Sequence, residues 1–269
     1  MKLNKLIFLL LLLCLMIVTA CTNNFQKVLK STNMDYKEKM AIKYYNEKNY
    51  DRALQLFDEL RIFNKGSLKA EEIAFYYANC YFGMNDFYTA GFYYKDFVNT
   101  FPNSKHAEEC AYLAAYCKYM ESPKYNLDQT ITKDAIKEFQ LFIDMYPTSN
   151  KVEEANNKID ELRAKLQKKD FENAKLYYVM EDYKAAIISF RNLLKEYLDT
   201  IYKEDALYYI AKAYYNYASK SIEQQKYLRF KSAIESANNF KLYFPNSKYK
   251  KDIEQIIKIS SKEIVKYKS

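Results

Sequence analysis

The chain has 269 residues, 49% of them hydrophobic, and contains only 3 Gly and 4 Pro. Because β-rich and α/β folds need glycine in many turns, this scarcity predicts a nearly all-helical fold. The formal charge of +8 is mildly basic, and without clustered arginines it does not suggest nucleic-acid binding. One histidine, His106, cannot form His pairs, triads or multi-His metal sites. Three glycines are too few for a phosphate-binding loop, so we expect neither an enzyme nor a cofactor.

The N-terminal stretch MKLNKLIFLLLLLCLMIVTAC is typical of an export signal. Two lysines precede a continuous apolar run, 6–18, which is too short to be a stable membrane span. Val18-Thr19-Ala20-Cys21 resembles the bacterial lipobox. This resemblance implies a signal peptide at 1–20, cleavage before Cys21 and lipidation of Cys21 with fatty acyl chains such as palmitate. An ordinary secretory signal with a chance cysteine is the alternative.

The residues after Cys21 bear on location and attachment. Thr22 stands where Asp would favour retention at the inner membrane, and no acidic run follows. We therefore expect a protein anchored in the outer membrane on its periplasmic face. Residues 21–33 are polar, which predicts a short lipidated tether.

A repeated stretch organises the rest of the chain, and its clearest copy runs from Ala74 to Pro102 as AFYYANCYFGMNDFYTAGFYYKDFVNTFP. Small residues and aromatics occupy the W, L, G, Y, A, F and P places of the tetratricopeptide (TPR) pattern, so the stretch resembles a TPR repeat. Such a unit is two crossing helices whose small residues let the backbones approach. Five copies predict a right-handed α-solenoid of about five helix pairs, with repeats 1–3 in 34–149.

The copies differ in length and in their ends. In repeat one, Asp51 is the expected N-cap of the second helix. Repeats three and five carry extra residues, around 121–130 and 219–228, which predict two loops on the rim of the stack. The proline that closes repeats two, three and five is missing from repeat four, where Tyr197-Leu198-Asp199-Thr200 stands.

The segment from 150 to 181 contains neither Gly nor Pro and keeps an apolar stripe at helical spacing. It predicts one helix of about 30 residues that opens the C-terminal half, 150–269, which holds repeats four and five and a capping helix at 248–266. A break at 168–170 is the competing interpretation. Cys80, Cys110 and Cys117 lie in apolar runs and are interpreted as small core residues.

Together, the lipobox, the five TPR-like units and the F/Y-P-x-S repeat ends resemble the BamD family of the outer-membrane β-barrel assembly machine. The resemblance implies a scaffold. Its C-terminal repeats would bind the POTRA domains of the barrel-forming subunit, and its N-terminal repeats would bind unfolded outer-membrane proteins. Two alternatives remain open: a periplasmic TPR adaptor lipoprotein for envelope division or pilus biogenesis, and a glycan-capturing lipoprotein. The second usually uses Trp platforms, and this chain has no Trp.

TPR stacks bind extended peptides on the face that their first helices form. The offsets in repeats one to three predict an aromatic groove there, although several of its tyrosines have packing between repeats as the alternative role. The expected peptide-binding residues are Glu38, Tyr45, Asn79, Phe82, Tyr112, Tyr116 and Tyr119.

Overall fold

A computed structural model describes residues 24–267, and over this range the chain consists of helices and short connections without a strand. The all-α prediction is confirmed there. The signal peptide and Cys21 lie outside the described residues. None of the described helices is both long and apolar enough to span a membrane. The helices are α1 (24–29), α2 (Met34–Asn46), α3 (Tyr50–Phe63), α4 (Ala70–Gly83), α5 (Phe87–Thr100), α6 (Ala107–Glu121), α7 (Thr130–Met145), α8 (Val152–Val179), α9 (Tyr183–Glu196), α10 (Lys203–Ser219), α11 (Glu223–Tyr243) and α12 (Lys250–Lys266).

Two compact units divide the chain. In the described range, unit 1 contains 24–123 and 130–160, and unit 2 contains 124–129 and 161–267. The division falls inside α8, a continuous helix of 28 residues. The long helix is therefore confirmed, and the interpretation with a break at 168–170 is wrong.

Unit 1 stacks the pairs α2–α3, α4–α5 and α6–α7. The small residues of the repeat pattern have no exposed surface, because they sit where two helix backbones approach most closely. Aromatic rings, among them Phe57, Tyr94 and Phe139, fill the space around them. The fully buried alanines of the pattern are Ala41, Ala53, Ala78, Ala90, Ala115 and Ala135.

Unit 2 repeats this packing and closes it with a cap. Phe190 and Phe240 are fully buried in the pairs α8–α9 and α10–α11. Helix α12 packs on α10 and α11 through Ile253 and Ile256, and its other face is charged. A terminal helix with one apolar face shields the last repeat from water, as the capping prediction requires.

The same turn joins three helix pairs. The second of its three residues has a positive φ, of 59° at Lys48, 61° at Asn85 and 64° at Glu181. In two copies the residue before the second helix caps it, because Asp86 accepts from the Thr89 N–H and Asp182 from the Ala185 N–H. Helix α3 begins two residues earlier than we expected.

The N-cap of α3 is Asn49, and Asp51 lies in its first turn. The prediction of Asp51 as N-cap is therefore wrong. A carboxylate in the first turn still interacts favourably with the helix dipole.

The structure contains one of the two predicted rim loops. Residues 122–129 form the predicted loop between α6 and α7, and Gln129 organises it by donating to the Lys124, Leu127 and Asp128 carbonyls. The second predicted loop does not form. Its residues lengthen α10 to 17 and α11 to 21 residues and leave a connection at 220–222. Helix-forming Glu, Gln and Lys in 223–226 favour this outcome.

Residues 24–33 differ from the expected tether. Residues 24–29 form α1, whose Phe25 and Val28 are only 6% and 2% exposed in the core of repeat one. The ring of Phe25 meets Tyr44 edge-on at 5.6 Å. Leu29 packs on the same core. Three apolar side chains in an otherwise polar segment are enough to anchor this short helix, which the overall polarity of the segment concealed.

Candidate functional site

Four aromatic side chains on the first helices of repeats two and three form a row. Phe82 on α4 lies 6.2 Å from the Tyr116 ring on α6. Tyr116 stacks on Tyr112 at 6.2 Å and on Tyr119 at 5.6 Å. We call Phe82, Tyr112, Tyr116 and Tyr119 the aromatic row. The structure thus brings together four of the seven residues that the sequence predicted as peptide-binding.

Within this row, Tyr112 differs from the other three. It is only 5% exposed, and its ring packs against Phe139 and Phe142 of α7 at 5.9 and 5.5 Å. Burial raises its pKa above the usual range of tyrosine. Tyr112 therefore belongs to the packing between α6 and α7, which corrects its predicted role as a groove residue. Phe82, Tyr116 and Tyr119 are partly exposed.

The remaining predicted residues are occupied by contacts within the protein. The Glu38 carboxylate forms an ion pair with Lys69 at 2.7 Å. Asn79 accepts a hydrogen bond from the Tyr94 hydroxyl at 2.5 Å. Tyr45 packs edge-on against Tyr50 and Tyr76, and burial is the main cause that raises its pKa to about 12.

Sequence reasoning missed the cations beside the row. The Lys158 ammonium lies 4.6 Å from the centre of the Tyr119 ring and donates to the Tyr119 hydroxyl at 3.4 Å. Lys151 lies 5.0 Å from the Tyr112 ring centre. Both lysines are on the first part of α8 or just before it, and their spacing of seven places them on one helix face. Lys151 also forms an ion pair with Glu154 at 2.8 Å. The row therefore combines partly exposed aromatic surface with the Lys158 ammonium at the Tyr119 end.

Unit 2 contains a separate groove of about 350 Å³ between α9, α10 and α11. Leu194, Leu207 and Ile210 are among its apolar lining residues. Arg191 stands at its edge with the guanidinium 5.4 Å from the Tyr214 ring centre. The repeat pattern did not predict this groove, because its walls combine side chains from three successive helices whose packing the pattern does not specify.

No arrangement for redox or metal chemistry is found in the part of the chain that the structure describes. There, no group of three or more His, Cys, Asp or Glu side chains is placed to hold a metal ion. Cys80, Cys110 and Cys117 are free and buried, and burial raises the pKa of the Cys80 and Cys117 thiols to about 12. They are packing residues, as the sequence predicted.

Comparison with known proteins places the chain among bacterial lipoproteins. Residues 33–228 match the model of the family described as YfiO, outer membrane lipoprotein. A relative in Buchnera aphidicola, named outer membrane protein assembly factor BamD, is 23% identical over 184 residues, which cover 64% of this chain and 75% of the relative. The protein of that name in Caulobacter vibrioides is 25% identical over 118 residues, covering 44% of this chain and 39% of the relative.

Among solved structures, the chain is similar to the TPR2AB domain of yeast Sti1 in its pHSP90 complex. The match covers 85% of this chain and 98% of the Sti1 chain, with 14% identity and a TM-score of 0.41. The family match is stronger, because it spans repeats one to four and the start of repeat five. The chain therefore belongs to the YfiO family of outer membrane lipoproteins.

Proposed function

We propose that the protein is a lipid-anchored scaffold in the assembly of outer-membrane β-barrel proteins. The family match and the two relatives named as assembly factors carry this proposal. The anchor is Cys21, and the protein stands on the periplasmic face of the outer membrane. The scaffold is not an enzyme. It binds two partners, each through one unit.

Unit 1 is the proposed site for unfolded barrel substrates. The partly exposed rings of Phe82, Tyr116 and Tyr119 offer apolar surface to a chain that ends in aromatic residues, and Lys158 offers a charge partner for a carboxylate. Aromatic contacts of this kind contribute roughly 0.5–1.5 kcal/mol each beyond buried area. Tyr112 supports the row from beneath and does not contact the substrate.

A pair of double variants tests this site. Tyr116→Ser with Tyr119→Ser removes the exposed part of the row, and we expect affinity for C-terminal peptides of barrel proteins to fall about tenfold, or roughly 1.4 kcal/mol. Tyr88→Ser with Phe92→Ser is the matched control, because both rings are exposed on α5 outside the row. A titration in which both double variants bind like the original protein would exclude the row as the substrate site.

Unit 2 is the proposed site for the POTRA domains of the barrel-forming subunit. The groove beside Arg191 provides apolar side chains and a guanidinium that can pair with a carboxylate. Arg191→Glu should weaken binding to the purified POTRA domains, while Lys195→Glu, one turn further along α9, should leave it nearly unchanged. Co-purification of a division or pilus component in place of a barrel subunit would favour the adaptor function instead.

The anchor is tested separately. Cys21→Ala should abolish the incorporation of a clickable fatty acid and release the protein from the membrane fraction. Persistent labelling of that variant would refute Cys21 as the lipidated residue.

A further inference from the structure

Helix α1 attaches the beginning of the described chain firmly to one end of repeat one. Phe25 packs on Tyr44, near the end of α2, and the Arg52 guanidinium near the start of α3 lies 5.3 Å from the Phe25 ring centre and 5.7 Å from that of Tyr44. Both contacts are beside the turn that joins α2 to α3. The start of α1 is therefore fixed at this end of the helix pair, which we call the turn end.

The chain length between this point and the anchor is short. Cys21 is three residues before residue 24, and three residues span at most about 11 Å even when fully extended. Helix α2 has 13 residues, which corresponds to a length of about 20 Å. A lipid attached at Cys21 can therefore reach the turn end of repeat one, but the opposite end is beyond its reach.

The charges at the turn end suit a phospholipid surface. Lys27, Lys48 and Arg52 form no ion pair within the described residues, and Lys43 pairs with Glu47 at 3.8 Å. Counting Asp51 and Glu47 against these four cations leaves an excess of two positive charges. Basic side chains near a membrane surface gain roughly 1 kcal/mol each from anionic lipids.

We propose that the turn end of repeat one is a membrane-contacting surface that rests on the phosphate layer of the outer membrane. The inference depends on lipidation of Cys21, which is part of the proposed function. Contact follows from the short link, and the cations at the turn end complement the lipid phosphates.

The opposite end of repeat one then faces away from the membrane. Three apolar side chains are exposed there, Ile62 by 78%, Phe63 by 65% and Leu68 by 102%. In this orientation they are available to partners in the aqueous periplasm and do not enter lipid.

Tryptophan fluorescence tests the orientation directly, because the chain contains no Trp. Asn46→Trp places the reporter at the turn end, and Phe63→Trp places it at the opposite end of the same helix pair. The full lipidated protein is reconstituted in vesicles of phosphatidylethanolamine and phosphatidylglycerol that carry a headgroup spin label. We expect quenching at position 46 to exceed quenching at position 63 at least threefold.

Two outcomes overturn the proposal in distinguishable ways. Equal quenching at the two positions, in protein whose Cys21 carries a fatty-acid label, refutes the orientation and leaves the lipoprotein function intact. Absence of the fatty-acid label refutes the anchor and the orientation together.

Two further variants test the short link and the basic side chains separately. Inserting twelve Gly and Ser residues after Asn23 should abolish the difference between the two reporters, and a difference that survives the insertion shows that the short link does not orient the repeat. Lys27→Glu with Lys48→Glu should reduce quenching at position 46 about twofold in the vesicles with phosphatidylglycerol. Unchanged quenching there would refute the contact between these cations and the lipid phosphates.

Discussion

At the scale of the residue, equal spacing on one helix leads to unequal environments. Tyr112, Tyr116 and Tyr119 follow one another at intervals of four and three on α6, yet Tyr112 is buried while the other two are partly exposed. The difference arises because Phe139 and Phe142 of α7 cover the Tyr112 ring. A helical interval fixes a shared face, but the neighbouring helix decides how much of that face is covered.

The first prediction separates packing from binding in this triplet. Tyr112→Ser should lower the free energy of unfolding by about 3 kcal/mol, because it empties a buried aromatic site. Tyr119→Ser should cost under about 1 kcal/mol, because its ring is partly exposed. Urea titrations of both variants measure this. Similar losses of stability for the two variants would show that Tyr119 is as much a core residue as Tyr112.

Tyr45 supports a prediction about pH. Its pKa is about 12 in the folded protein and 10.0 as the ordinary value of the side chain, mainly because burial disfavours the phenolate. The folded state therefore holds its proton more tightly than the unfolded state. The contribution of Tyr45 to stability is fully present below pH 10 and is lost as the pH rises towards 12.

Tyr45→Phe should remove this part of the alkaline loss. We expect the urea midpoint of the variant to fall less between pH 9 and pH 11 than the midpoint of the original protein. Tyr36→Phe, at an exposed position on the same helix, is the control and should not change the pH dependence. An identical pH response in all three proteins would contradict the shift assigned to Tyr45.

At the scale of the element, the recurring turn between paired helices contains a residue with a positive φ, a backbone conformation that is strained for residues other than glycine. Lys48, Asn85 and Glu181 occupy the same left-handed position in three copies. Asparagine adopts this conformation more readily than residues with longer side chains, and glycine adopts it without strain. Glu181 gains an ion pair with Lys220 at this position, whereas Lys48 has no ion pair among the described residues.

Lys48→Gly should therefore stabilise the protein by about 0.5–1 kcal/mol, since glycine removes the strain of a positive φ. Lys48→Val should destabilise it, because a β-branched side chain is the least compatible with this conformation. Thermal melting of the three proteins measures the order. A lower melting temperature for the glycine variant would show that the lysine side chain itself stabilises this turn.

At the scale of the whole molecule, the chain divides into two units rather than into a uniform row of repeats. The division inside α8 follows the expected boundary near 150 only approximately, since unit 1 extends to Asp160 and unit 2 takes in the loop 124–129. Lys169 donates to the Leu127 carbonyl, and the Lys168 ammonium lies 4.5 Å from the Tyr125 ring centre. The rim loop of repeat three thus packs on the second part of α8.

The corresponding prediction concerns fragments. Residues 150–269 alone should bind the POTRA domains at near full affinity, and residues 34–166 alone should bind them far more weakly. The C-terminal fragment lacks the contacts of loop 124–129, so it should be less stable than the full chain while it keeps its helices. Circular dichroism checks folding, and affinity carried by the N-terminal fragment would reverse the assignment of the two units.

The sequence by itself determined the elements that depend on local chemistry. The helix pairs, the long α8 and the capping helix could all be predicted from patterns within about 30 residues. These patterns were the scarcity of glycine, the periodic alanines and aromatics, and the prolines at repeat ends. The pattern also located the aromatic row on α4 and α6.

Only the tertiary structure decided which of these residues remain accessible. Three features depend on how side chains of different helices meet: the burial of Tyr112, the pairing of Glu38 with Lys69, and the groove beside Arg191. The docking of α1 depends on a complementary surface around Tyr44 and Arg52. Side-chain accessibility is set by how neighbouring helices pack, and a linear pattern records the periodicity of a face without recording what covers it.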